Sequence, residues 1–217
     1  MRIHPATAER KSICPAWVFL FAAFVLFLPF LVQARGTVDT FSRLSPRHIF
    51  SSTASVGIRF VTAWKVAFDD KGFYADPNIS DSAWTLVGTT LLDPDSAQTK
   101  YWNGIGWFRL WLDVDSALVG HQVGMNFSKH RGASEIFLNG KRLYTLGVIA
   151  PNGASERVYQ PMVIYPIVFA KPGLNCISIR YANHSAAWFH RNYFDAGFEI
   201  VWQDFNIQNH DNFSRKM

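Results

Sequence analysis

Cysteine is scarce: Cys14 and Cys176 are the only two thiols among 217 residues. Cys14 lies in an apolar N-terminal stretch, so Cys176 is left without an intramolecular partner, and a fold stapled by disulfides is excluded. Charge is sparse as well, at 17% of residues against 49% hydrophobic and 16% aromatic. Disordered and collagen-like chains are poor in aromatics, so neither class fits. Long apolar runs are limited to one, over residues 16–32, which argues against a polytopic membrane protein. Catalytic signatures are missing too: there is no phosphate-binding Gly-rich loop ending in Gly-Lys, no Gly-x-Ser-x-Gly, no His-Glu-x-x-His and no Cys-x-x-Cys. Seven histidines are scattered, and the one close pair, His184 with His190, fits no zinc spacing. No metal and no cofactor are therefore expected. The neighbouring carboxylates Asp69-Asp70, Asp93/Asp95 and Asp113/Asp115 sit beside Pro, Gly or Ser at strand ends, where an Asp oxygen caps turns.

Residues 1–34 read as a targeting segment. Arg2, Arg10 and Lys11 supply a positive start, the apolar run follows, and Val32-Gln33-Ala34 offers a site that a signal peptidase can read. Cleavage after Ala34 is the expectation; an uncleaved signal anchor, which would hold the chain at a membrane, is the alternative. Either way the protein is expected to be exported, to a periplasm or the outer face of a membrane. Beyond the leader the chain holds 18 basic and 15 acidic side chains, so the mild basic excess carries no sign of a nucleic-acid partner.

After the leader, alternation with turn punctuation replaces helical periodicity. Phe108, Leu110, Leu112 and Val114 share one face of a strand, and Trp107, Arg109, Trp111 and Asp113 the other. Asn139-Gly140 between two strand-like segments predicts a tight hairpin, because both central residues of that turn need positive φ. Further strands are predicted over 58–66, 84–91, 119–127, 162–169, 174–181 and 197–204. Eight or more short strands spaced by turns predict an all-β chain folded as a two-sheet antiparallel sandwich. The expected division is a leader at 1–34, a linker or loose first strand at 35–57, the sandwich at 58–205 and a polar tail at 206–217.

Four blocks carry a resemblance. They are Trp64 with Asp69-Asp70, Tyr74-Ala75-Asp76-Pro77 and Asp81-Ser82-Ala83-Trp84; Gly104-Ile105-Gly106-Trp107-Phe108-Arg109; residues 132–141, ending in Leu138-Asn139-Gly140-Lys141; and Pro172-Gly173-Leu174-Asn175 with Arg180-Tyr181-Ala182-Asn183. Their order resembles the galactose-binding-like jelly-roll domain. Two versions are similar: the sugar-binding domain that opens family 2 glycoside hydrolases, and the extracellular sensor module of bacterial seven-transmembrane signalling proteins, which it resembles more. The resemblance implies a jelly roll that binds a small extracellular ligand, a carbohydrate first of all. In those families a catalytic barrel, or a membrane region and effector, follows the domain. The chain here reaches Met217 after a polar tail, so the expectation is a binding domain and not an enzyme. The alternatives kept are a fragment of a family 2 glycoside hydrolase and a structural domain without ligand.

Aromatic residues mark the expected binding surface. Sugar rings stack their C–H faces on aromatic rings, while nearby polar side chains satisfy the hydroxyls. Tyr101-Trp102-Asn103 and the stretch from Trp188 through His190 to Tyr193 both mix aromatic with polar residues and both read as loop. Trp102 and Trp188 are thus expected to contact ligand, with Asn103 and His190 as polar partners. Arg109 is a further candidate from the Trp107/Trp111 face, its other reading being an ion pair with Glu or Asp. Trp64, Trp84, Trp107 and Trp202 are expected to be core or rim packing. Cys176, inside an apolar strand pattern, is expected to be a buried, inert thiol.

Overall fold

The computed structural model describes residues 41–50, 57–90, 101–188 and 196–206. The leader expected at 1–34 lies outside them, and among the described residues no helix is long and apolar enough to cross a membrane. Eleven strands run in chain order: β1 (Phe41–Leu44), β2 (Ile58–Arg59), β3 (Trp64–Ala67), β4 (Thr85–Val87), β5 (Ile105–Val114), β6 (Gln122–Ser128), β7 (Ala133–Leu138), β8 (Lys141–Leu146), β9 (Ile164–Val168), β10 (Gly173–Ala182) and β11 (Glu199–Asp204). Two short α-helices among the described residues, α1 (Pro46–Ile49) and α2 (His184–Trp188), stand beside them.

The strands form two sheets. A seven-stranded sheet runs β4-β3-β5-β10-β7-β8, with β1 added along the far half of β5, and a four-stranded sheet runs β2-β11-β6-β9. Among the described residues every pairing of these strands is antiparallel except β1 with β5. The core lies between the sheets and follows from the two-residue period. Phe108, Leu110, Leu112 and Val114 of β5, with Ile177, Ile179 and Tyr181 of β10, face Val123, Met125 and Phe127 of β6 and Ile200 and Trp202 of β11. Cys176 is buried on the opposite face of β10.

The hairpin predicted at Asn139-Gly140 joins β7 to β8, with φ of 50° at Asn139 and 86° at Gly140. Asn139 also ties the turn to the middle of the sheet: its Oδ1 accepts from the Cys176 amide at 2.8 Å and its backbone N–H donates to the Cys176 carbonyl at 2.8 Å.

The outer face of β5 is buried too, which alternation alone does not show. Residues 69–84 fold over it as an irregular cover between β3 and β4, so Trp107 and Arg109 are as inaccessible as the core side of the strand. At the opposite edge Tyr144 of β8 donates to the Pro166 carbonyl of β9 at 2.6 Å, holding the two sheet edges together.

Candidate functional site

The cover is held by Arg109. Its Nη1 donates to the Ile79 carbonyl at 2.6 Å, and its Nη2 donates to the carbonyls of Tyr74 at 2.8 Å and Asp76 at 3.0 Å. The guanidinium lies 4.6 Å from the Trp84 ring centroid and 3.7 Å from an Asp81 carboxylate oxygen. A planar five-donor group suits this task because one side chain can serve several carbonyls that no strand satisfies. Asp81 also accepts from Lys65 Nζ at 2.9 Å and from Trp111 Nε1 at 2.8 Å. Burial alone would raise the Asp81 carboxyl, but these hydrogen bonds outweigh it and hold it below the usual carboxylate range.

Beside the cover runs a ladder of alternating charge. Arg180 of β10 grips Asp70 through two parallel bonds, Nε to Oδ1 at 2.7 Å and Nη2 to Oδ2 at 2.6 Å. Its Nη1 meets Glu135 of β7 at 3.1 Å, and Glu135 in turn accepts from Arg142 of β8 at 2.8 Å. Trp107 Nε1 donates to Asp70 Oδ1 at 3.2 Å. Asp70 is pulled up by burial and pulled down further by Arg180 and Trp107, so it stays ionised below its ordinary range.

At the start of β5 the chain makes a rim. Gly104, at φ 106°, lies so close to α2 that a Cβ there would be 2.6 Å from the His184 ring. The Asn183 amide donates to the Gly104 carbonyl at 2.7 Å, which joins the 101–104 turn to the first residues of α2. His184 presents Nδ1 to Glu156 Oε2 at 2.6 Å and Nε2 to the Pro151 carbonyl at 3.2 Å, and its backbone N–H donates to Glu156 Oε1 at 3.1 Å. The loop after β8 is thereby fastened to the same end. Asn103 is exposed, its Oδ1 accepting from the Ile105 amide at 3.4 Å. Tyr101 is 64% exposed, its ring 6.3 Å from that of Phe68.

A second histidine lies deeper at this end. His130 faces the Tyr159 carbonyl with Nδ1 at 2.7 Å and the Ser134 hydroxyl with Nε2 at 2.6 Å. A carbonyl can only accept, so Nδ1 carries the proton and Nε2 accepts from Ser134. Burial pushes its pKa down to about 4 and keeps the ring neutral.

The structure corrects the placement of two expected ligand contacts. Trp102 is not a surface ring: it is only 5% exposed and packs in the core between Phe108 and Tyr181, at centroid distances of 6.3 and 5.8 Å. Arg109 is fully buried and committed to the cover, where its three carbonyl bonds stand in place of ligand contact. Asn103 stands on the surface, as a rim residue. Trp188 ends α2, with its side chain outside the description, and His190 lies outside the described residues. The 101–104 turn packs on the start of α2, while residues 189–193 of the second expected loop lie outside the described residues. Tyr101 and His184 of this rim were named in the sequence without a role at the site, and Glu156 was not named. Tyr101 was legible in principle, since it neighbours Trp102 and a tryptophan turned inward leaves the adjacent ring turned outward.

No family model matches the chain, and no curated protein matches it. Among solved structures it is similar to a calcium-binding mutant of Bacteroides uniformis beta-glucuronidase 2, with TM-score 0.44 and 18% identity over 64% of this chain and 17% of that one. A beta-glucuronidase from glycoside hydrolase family 2 gives TM-score 0.45 and 17% identity over 67% of this chain and 17% of that one. A beta-glycosidase from Bacteroides vulgatus gives 0.41 and 20%, over 67% and 20%. The chain spans about a fifth of the length of these glycoside hydrolases. The expectation that set the chain apart from enzymes is corrected by them, since each neighbour is itself an enzyme chain. They assign no catalytic activity to these residues.

Proposed function

We propose that the β-sandwich is a carbohydrate-binding domain whose ligand meets the rim at the start of β5. The observation that carries this reading is the exposed Tyr101 ring beside the exposed amide of Asn103, on a turn anchored to α2. An aromatic face and an amide are the pair a sugar needs, one for its C–H face and one for its hydroxyls. Loops at the end of a sandwich suit recognition because strand residues are already committed to pairing and packing. The charged ladder at Asp70, Arg180 and Glu135, its groups bonded to one another, holds the strands behind this end in place.

The order of motifs supports placing the domain with the galactose-binding-like jelly rolls, as a sensor module of an exported signalling protein or as the sugar-binding part of a family 2 glycoside hydrolase. Residues 1–34 support export, with the rim facing the periplasm or the medium. The test is an array of immobilised mono- and oligosaccharides probed with the wild-type chain and with Asn103→Ala. Binding of at least one glycan by the wild type, weakened in the variant at an unchanged melting temperature, is expected. An array silent for the wild type would remove the carbohydrate reading.

A further inference from the structure

The segment between β8 and β9 presents large apolar side chains to water. Met162 is 90% exposed, and Val148, Val158, Tyr159 and Val163 are exposed as well. The segment is held in place: Val148 and Arg157 exchange backbone hydrogen bonds at 2.9 Å, and the Tyr159 amide donates to the Gly132 carbonyl at 2.9 Å. An anchored strip of apolar side chains marks a contact surface more than a strand end needing cover.

The exposed charges next to it in the chain are Arg131 and Arg157, and the nearest acids are Glu135 and Glu156. Both acids are occupied, Glu135 by Arg142 and Arg180 and Glu156 by His184. Arg131 adjoins Gly132 and Arg157 adjoins Val158, so exposed guanidinium groups flank the apolar strip, and neither forms an ion pair with another described residue.

We infer that the 157–163 segment is a peripheral membrane contact, inserting Met162, Val163 and Val158 among the lipid chains of an anionic bilayer while Arg131 and Arg157 meet the headgroup phosphates. Apolar side chains rimmed by cations bind such surfaces because burial and lipid charge act together. Long Arg side chains keep their heads at headgroup level while the stems lie along apolar surface. A protein partner would also accept apolar side chains; the two exposed guanidinium groups beside the strip favour lipid phosphate.

The test uses the full chain carrying Cys14→Ser and Met162→Cys, labelled at 162 with an environment-sensitive fluorophore; Cys176 is buried and stays unlabelled. The protein is mixed with vesicles of phosphatidylcholine, or of phosphatidylcholine with about a third phosphatidylglycerol, each with and without acyl-chain spin labels. A control label replaces exposed Ala117, beyond the far end of β5. Because position 162 reports its own immersion, attachment through residues 16–32 does not mimic the result. Blue-shifted, spin-quenched emission from 162 on anionic vesicles is expected, several-fold beyond that on neutral ones. The signal should be lost with Arg131→Glu and Arg157→Glu at an unchanged melting temperature, and be absent from position 117. A label at 162 that stays in water on anionic vesicles overturns the proposal. So does immersion indifferent to lipid charge, or a shift that grows with protein concentration without vesicles, which would mean self-association.

Discussion

Arg109 is charged, fully buried and bonded to three backbone carbonyls of the cover. Arg109→Met keeps the length of the side chain and removes every donor, leaving the carbonyls of Tyr74, Asp76 and Ile79 without their partner. A loss of about 3 kcal/mol is expected, checked by urea unfolding. His130 adds a pH dependence of definite sign. Its folded pKa of about 4 lies below the ordinary 6.5, so the unfolded chain binds the extra proton between those values. The stability it contributes is complete above pH 6.5 and falls away as pH drops toward 4. The melting temperature of the wild type should therefore fall across that window more steeply than that of His130→Gln, which cannot titrate. The lowered carboxylates Asp70, Asp81 and Glu199 act at lower pH: their stabilisation is present above their ordinary values and is lost as pH falls through their depressed ones.

The β7–β8 hairpin shows how an element can be constrained from two sides. Gly140 has φ of 86°, and a Cβ there would lie 3.3 Å from Pro77 Cδ in the cover. Gly140→Val meets both the left-handed backbone and that neighbour, and should cost about 1–3 kcal/mol in thermal or urea unfolding. An unchanged melting temperature would show that the turn relaxes freely. This hairpin was legible because two positive-φ positions require a particular residue pair, and β5 because period-two alternation survives in a ten-residue strand. The cover was not legible. Residues 69–84 have no period, their order coming from side chains such as Arg109 that are distant in sequence. For the same reason Arg109 read as a ligand contact or the partner of an acid, of which Asp81 at 3.7 Å supplies the second, and Trp102 as a loop ring, since alternation names a face without telling what lies against it.

At the scale of the whole molecule, two sheets, a cover and a cluster of fastened loops divide the aromatic residues into two populations. Most rings are committed to packing, among them Trp64, Trp102, Trp107 and Trp202. Tyr101, 64% exposed and beside the Phe68 ring, lies at an end where the 101–104 turn, α2 and the loop after β8 are joined through Gly104, His184 and Glu156. That end combines an exposed ring, an exposed amide and a rigid base. The inward turn of Trp102 was not legible because it depended on the depth of the core behind it.

The most direct measurement is calorimetric titration of a glycan selected on the array into wild type, Tyr101→Ala and Trp102→Ala, with thermal melts on the same samples. Tyr101→Ala should lose binding at least about tenfold, the share of a ring worth about 1.4 kcal/mol, and keep the wild-type melting temperature. Trp102→Ala should instead lose about 3–5 kcal/mol of stability as a core truncation. Wild-type affinity in Tyr101→Ala would contradict a ligand site at the start of β5.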